Sequence, residues 1–184
     1  MSAAHGRLRA GERIELGDYP VDAAWSSDGN TLVVAGGEGN VLLLSVATPQ
    51  PPAPQAIGRH HGGALAVAWQ PAGRLFASSG QDGTVQLWDA RSLAAMPIYS
   101  GKEWSERLAF ADNGRLLAVA AGRTLQLFDQ QGQARHRFTD HAGAIVALAW
   151  RPKSAQIAAA SNGGVRMHRL EPRPESRDYP WRGA

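Results

Sequence analysis

Leu65-Ala66-Val67-Ala68-Trp69-Gln70-Pro71-Ala72-Gly73-Arg74 decides the fold. Leu65, Val67 and Trp69 alternate with Ala64, Ala66 and Ala68, the period-two pattern of a strand with two unlike faces. Gln70-Pro71-Ala72-Gly73 then reads as a tight turn. Leu75-Phe76-Ala77 opens a second short apolar run, and Thr84-Val85-Gln86-Leu87-Trp88 supplies a third beyond a Gly-containing turn. Short runs separated by turn chemistry are the strands of a meander.

The same order recurs three more times. Val21-Asp22-Ala23-Ala24-Trp25 precedes Ser26-Ser27-Asp28-Gly29 and Leu32-Val33-Val34-Ala35. Arg107-Leu108-Ala109-Phe110 precedes Ala111-Asp112-Asn113-Gly114 and Leu116-Leu117-Ala118-Val119-Ala120. Val146-Ala147-Leu148-Ala149-Trp150 precedes Arg151-Pro152-Lys153-Ser154 and Ile157-Ala158-Ala159-Ala160. The aromatic anchors Trp25, Trp69, Phe110 and Trp150 are 44, 41 and 40 residues apart. A period of roughly 40–45 residues suits a four-stranded propeller blade. Helical repeats share that period, but the period-two alternation excludes them. The fold expected is all-β: a β-propeller of four-stranded antiparallel blades over residues 12–170.

Weaker segments such as Met96-Pro97-Ile98-Tyr99 and Arg135-His136-Arg137-Phe138 read as outer edge strands. Pro97 is tolerated there because an edge position need not donate to the ladder. Pro49-Gln50-Pro51-Pro52-Ala53-Pro54 reads as a rim loop that accounts for the longest spacing, with a polyproline motif as the alternative.

Ser78-Ser79-Gly80-Gln81-Asp82-Gly83-Thr84-Val85-Gln86-Leu87-Trp88-Asp89 resembles a WD repeat. In that family a histidine ahead of the first strand, a serine, an aspartate and a tryptophan form a buried hydrogen-bond chain. The resemblance carries these roles to His60, Ser78, Asp82 and Trp88. The fourth repeat keeps a partial set: His141 lies nine residues before Trp150, but His168 stands at the tryptophan position. The first repeat has Leu16 and Glu38 where histidine and aspartate are expected. The third has Phe128-Asp129 for Trp-Asp and no matching histidine.

The chain has a formal charge of +3, and 17 of its 19 basic residues are arginine, Lys102 and Lys153 being the exceptions. With its many alanines this reads as a compositional bias. Arg166, Arg169, Arg173, Arg177 and Arg182 form a basic C-terminal stretch interrupted by Glu171, Glu175 and Asp178, so a weak nucleic-acid contact is the minor alternative. There are no cysteines, which excludes disulfides, thiol nucleophiles and cysteine-bound zinc. No apolar run is long enough to span a bilayer, and Met1 to Ala10 lack the apolar core of a signal peptide. A cytoplasmic location is expected, with no metal and no cofactor. His60-His61 is adjacent, and neighbouring strand residues point to opposite faces. Ser78, His60 and Asp82 could be assembled into a catalytic triad, but a buried place between blades provides no cleft. Gly36-Gly37-Glu38-Gly39 opens no helix and is not a phosphate loop.

Asp18-Tyr19-Pro20 recurs as Asp178-Tyr179-Pro180. The second copy is expected to begin a fifth blade within residues 171–184. Residues 1–11 are expected to be a flexible lead. Glu12-Arg13-Ile14-Glu15-Leu16 alternates like an outer strand and is expected to complete the fourth blade, because Glu171-Pro172-Arg173-Pro174-Glu175 makes a poor strand. Three arrangements fit: part of a longer propeller, two chains forming an eight-bladed ring, or a closed four-bladed ring. The first two imply self-association or low solubility.

The resemblance implies a non-catalytic scaffold that binds other proteins or peptides. Gln81 and Trp104 are the candidate contacts, Trp104 because Lys102-Glu103-Trp104-Ser105-Glu106 sets an aromatic among polar residues before a strand. The rival reading is a regulatory or substrate-presenting propeller associated with an enzyme.

Overall fold

The computed structural model describes residues 13–47, 52–170 and 174–181. Expectations for residues 1–11, Glu12, the core of the proline-rich loop, Arg173 and Arg182 lie outside these residues. The described residues form sixteen strands and no helix. The first sheet contains β1 (Pro20–Trp25), β2 (Thr31–Gly36), β3 (Asn40–Ser45) and β4 (Gln55–Arg59). The second contains β5 (Ala64–Trp69), β6 (Leu75–Gly80), β7 (Thr84–Asp89) and β8 (Ala95–Ser100). The third contains β9 (Ser105–Phe110), β10 (Leu116–Ala121), β11 (Thr124–Asp129) and β12 (Ala134–Phe138). The fourth contains β13 (Ile145–Trp150), β14 (Gln156–Ser161), β15 (Gly164–Arg169) and β16 (Glu175–Pro180).

Each sheet is an antiparallel meander, paired in chain order. The first strands pack in series, β1 on β5, β5 on β9 and β9 on β13, so the sheets are propeller blades arranged around a common axis. Among the described residues the array is not closed into a ring. Pro97 lies on the outer strand β8, where the ladder can spare a donor.

The core lies between blades. Val33, Ala35 and Val41 of blade one meet Val67, Phe76 and Trp88 of blade two. Ala77, Val85 and Leu87 meet Leu117, Val119 and Phe128. Ala118, Ala120, Leu125 and Leu127 meet Ile157 and Ala159. Each blade thus presents a small or aliphatic face forward and a bulkier face backward. Trp69, Phe76 and Trp88 are cross-strand neighbours, with ring centroids 5.0 and 5.9 Å apart.

The turns between first and second strands use two solutions. Gly29 and Gly114 take φ of 72° and 66°, which costs glycine little. In blades two and four a proline comes first, and the left-handed residue is Ala72 (φ 50°) or Lys153 (φ 54°). A non-glycine residue in that region is strained by about 1–2 kcal/mol. Ala72→Gly is expected to stabilise the chain by about 0.5–1 kcal/mol, the gain being reduced by the greater freedom of glycine in the unfolded chain. A shift of the urea midpoint to higher concentration checks this.

Two sequence expectations are corrected at the ends of the array. Residues 13–16 form no strand on blade four; Ile14 and Leu16 pack instead on Val34, Leu42 and Leu44 of blade one. The fourth blade is completed by β16, with Val165 opposite Tyr179 and His168 opposite Ser176. Pro174 precedes this strand and Pro180 ends it, so the ladder donors from Ser176 to Tyr179 remain. Asp178-Tyr179-Pro180 therefore belongs to an outer strand of blade four and does not begin a fifth blade. Asp18-Tyr19-Pro20, by contrast, leads into a first strand.

Candidate functional site

Blade two brings His60, Ser78, Asp82 and Trp88 into one hydrogen-bonded chain. His60 leaves β4, Ser78 lies on β6, Asp82 in the β6–β7 turn and Trp88 on β7. The Trp88 indole N–H donates to Ser78 Oγ at 2.9 Å. Ser78 Oγ lies 2.9 Å from His60 Nε2, and His60 Nδ1 lies 3.2 Å from Asp82 Oδ1. The indole can only donate, so the hydroxyl proton goes to Nε2 and Nδ1–H faces the carboxylate. Burial alone would raise the Asp82 carboxyl. The Thr84 amide and hydroxyl, the His61 amide and His60 outweigh it and hold that carboxyl below the usual range.

This arrangement ties an interblade loop, a turn and two strands together. His60 and Ser78 are fully buried, and the Ser78 proton is committed to His60. The three residues are therefore a structural clamp and not a nucleophile with its base. Gly58, on the outer strand of blade one, lies against the Trp88 ring; a Cβ there would fall 2.3 Å from the indole edge.

Blade four builds a different chain from the same positions. Ala159 replaces the serine, so His141 Nε2 meets His168 Nε2 directly at 3.1 Å. His141 Nδ1 lies 3.0 Å from the Arg123 carbonyl, which can only accept. His141 Nε2 is therefore the acceptor, His168 Nε2–H the donor, and Ser176 donates to His168 Nδ1 at 2.7 Å. The sequence showed His141 and the substitution at position 168. It did not show that the two bond, because Ser176 reaches them only through the β15–β16 register. Burial pushes His168 down to about 4, helped by the neighbouring His141 and Arg166, and burial lowers His141 as well.

A scan against family models matches the WD domain, G-beta repeat, at residues 54–89 and 132–169. Each match begins ahead of an outer strand, β4 or β12, and ends on the third strand of the next sheet. The sequence repeat is thus offset by one strand from the blade. The chain carries WD repeats. Its WD-repeat relatives include an intraflagellar transport protein 80 homolog of Rattus norvegicus, 28% identical over 159 residues, which are 85% of this chain and 20% of that protein. THO complex subunit 3 of Arabidopsis thaliana is 28% identical over 147 residues, 77% of this chain and 45% of that protein. Small ribosomal subunit protein RACK1 of Schizosaccharomyces pombe is 34% identical over 76 residues, 41% of this chain and 24% of that protein. The chain spans less than half the length of each of these relatives.

The WD-repeat array gathers its second-to-third-strand turns and its interblade loops at one end. Gln81 N–H donates to the Gly63 carbonyl, and Gly101 N–H donates to the Gly83 carbonyl. Gln81 and Trp104, the two candidate contacts, therefore stand at the same end. Trp104 is 50% exposed. Tyr19 lies over Gly37, and Trp181 N–H donates to the Gly163 carbonyl, which brings two further aromatics to this end, 65% and 80% exposed. Neither was singled out from the sequence, since neither lies in a repeat core. Arg166 also belongs here, but Asp178 and Asp140 both pair with it and raise its guanidinium pKa. Arg177 stacks on Tyr179, 5.4 Å from the ring centroid. The basic stretch is thus partly neutralised and partly turned to packing.

Proposed function

We propose that this WD-repeat chain is a non-catalytic, cytoplasmic protein-interaction scaffold whose partners dock on the loop end. The observation that carries the reading is the set of exposed aromatics there, Tyr19, Trp104 and Trp181, with Gln81 among them. Exposed aromatics on a rigid frame supply contact area at small entropic cost, and such side chains dominate binding energy at interfaces. The names of two relatives, a THO complex subunit and a small ribosomal subunit protein, support membership of larger assemblies.

The test is affinity purification with mass spectrometry, comparing the native chain with the Tyr19→Ala/Trp104→Ala/Trp181→Ala variant. The variant is expected to keep its urea midpoint and to lose specific partners at least tenfold. Partners that bind both chains equally would contradict the assignment of this end.

A further inference from the structure

We propose that the cavity between blades three and four binds a small organic carboxylate with a flat apolar body, at the end of the array opposite the candidate contacts. Two internal junctions built from the same turn positions show how this cavity arises. Gln70 N–H donates to the Leu75 carbonyl and Ala111 N–H to the Leu116 carbonyl, both at 2.9 Å. Gln70 and Ala111 therefore hold one place in their blades. At the junction of blades two and three Gln70 is buried, and its Nε2 donates to the Gly114 carbonyl at 2.8 Å. Gln130 Nε2 donates to the same carbonyl at 3.1 Å. Gly114 lies close against this plug, since a Cβ there would fall 3.0 Å from Gln70 Cγ.

The next junction exchanges each of these groups. Ala111 stands for Gln70. Ser154 stands for Gly114, each four residues past its anchor, and Leu170 stands for Gln130, each following a third strand. The amide that plugs one junction is thus missing from the other, and a cavity of about 290 Å³ opens there. Ala111, Leu116, Trp150, Ala155 and Leu170 form its apolar wall. The Trp150 indole is pinned, its N–H donating to the Ala109 carbonyl at 3.0 Å. A cavity of roughly 150 Å³ takes one benzene ring, so this one has room for a fused pair.

The polar lining selects the sign of charge. Arg115 and Arg135 line the cavity against one carboxylate, Asp129. Asp129 is already committed: Arg135 pairs with it, and the Gln131 and Gln133 amides donate to it at 3.0 and 2.8 Å. The Arg115 guanidinium is in no ion pair among the described residues. Ser154 also lines the cavity, and its hydroxyl is buried without a hydrogen-bond partner. Such a group is uncommon in a folded chain. With no bond to fix its rotamer, it can turn and donate to a ligand oxygen. Guanidinium and hydroxyl both call for an acceptor, and two guanidiniums repel an ammonium.

Isothermal titration of the full chain with naphthoate, and with naphthamide as its uncharged counterpart, tests this. Naphthoate is expected to bind with a Kd of about 1 mM or tighter, and naphthamide at least fivefold more weakly. Ala111→Gln/Ser154→Gly copies the plugged junction into the open one. It is expected to weaken naphthoate binding at least tenfold while the circular dichroism spectrum stays unchanged. Arg115→Gln, at an exposed position, leaves the fold alone and is expected to bring naphthoate down to the affinity of naphthamide. No naphthoate binding below about 10 mM, equal binding of acid and amide, or binding indifferent to both variants would overturn the proposal.

Discussion

Trp88→Ala is expected to destabilise the chain by about 4 kcal/mol, the usual cost of emptying a large buried aromatic site. Trp88 is almost fully buried and packs within the core between blades one and two. Its ring lies parallel to Phe76 and is covered by Gly58 of the preceding blade. Its N–H also anchors the Ser78 hydroxyl. Trp88→Phe separates the two contributions. It keeps most of the stack and removes the donor, and is expected to cost about 1–2 kcal/mol. Urea unfolding of both variants checks the ranking. Equal losses would mean that the hydrogen bond outweighs the packing.

Acidification from pH 7.5 to 5.0 is expected to loosen blade four. The His168 imidazole titrates near 4 in the folded chain against an ordinary 6.5. The folded state thus favours the neutral ring, and between these values the unfolded chain binds more protons. The stabilisation is complete above pH 6.5, falls as pH drops toward 4 and changes no further below that. The sign is the same for His141, which is also lowered. From pH 7.5 to 5.0 the loss is about 2 kcal/mol. The structural cause is that each ring nitrogen already has a neutral assignment along Arg123, His141, His168 and Ser176. His168→Gln keeps a donor for His141 and an acceptor for Ser176 but does not titrate. It is expected to remove more than half of the pH slope, read from urea midpoints at the two pH values. An unchanged slope would place the sensitivity elsewhere.

Much of the fold was legible from Trp25, Trp69, Phe110 and Trp150, because a blade repeats both its alternation and its turn chemistry. Ser78, Asp82 and Trp88 were legible for a related reason: a buried polar chain needs particular side chains at particular offsets. The ends were not. Asp-Tyr-Pro occurs once before a first strand and once within an outer strand, and three residues carry no information about which ladder they join. Ile14 and Leu16 alternate as expected, but alternation does not name the blade they cover. The His168–Ser176 bond depends on the β15–β16 register, and the exposure of Tyr19 and Trp181 depends on how the loops gather. Both are properties of the assembled sheets.

The two lysines report whether partners dock on the loop end. Lys102 stands beside Trp104 at that end, whereas Lys153 lies in the β13–β14 turn at the other, its amide bonded to Asp112. Lysine-directed cross-linking of the chain to a captured partner, followed by mass spectrometry, reads the docking end directly. Cross-links through Lys102 are predicted. Cross-links through Lys153 with none at Lys102 would mean that partners dock on the opposite end.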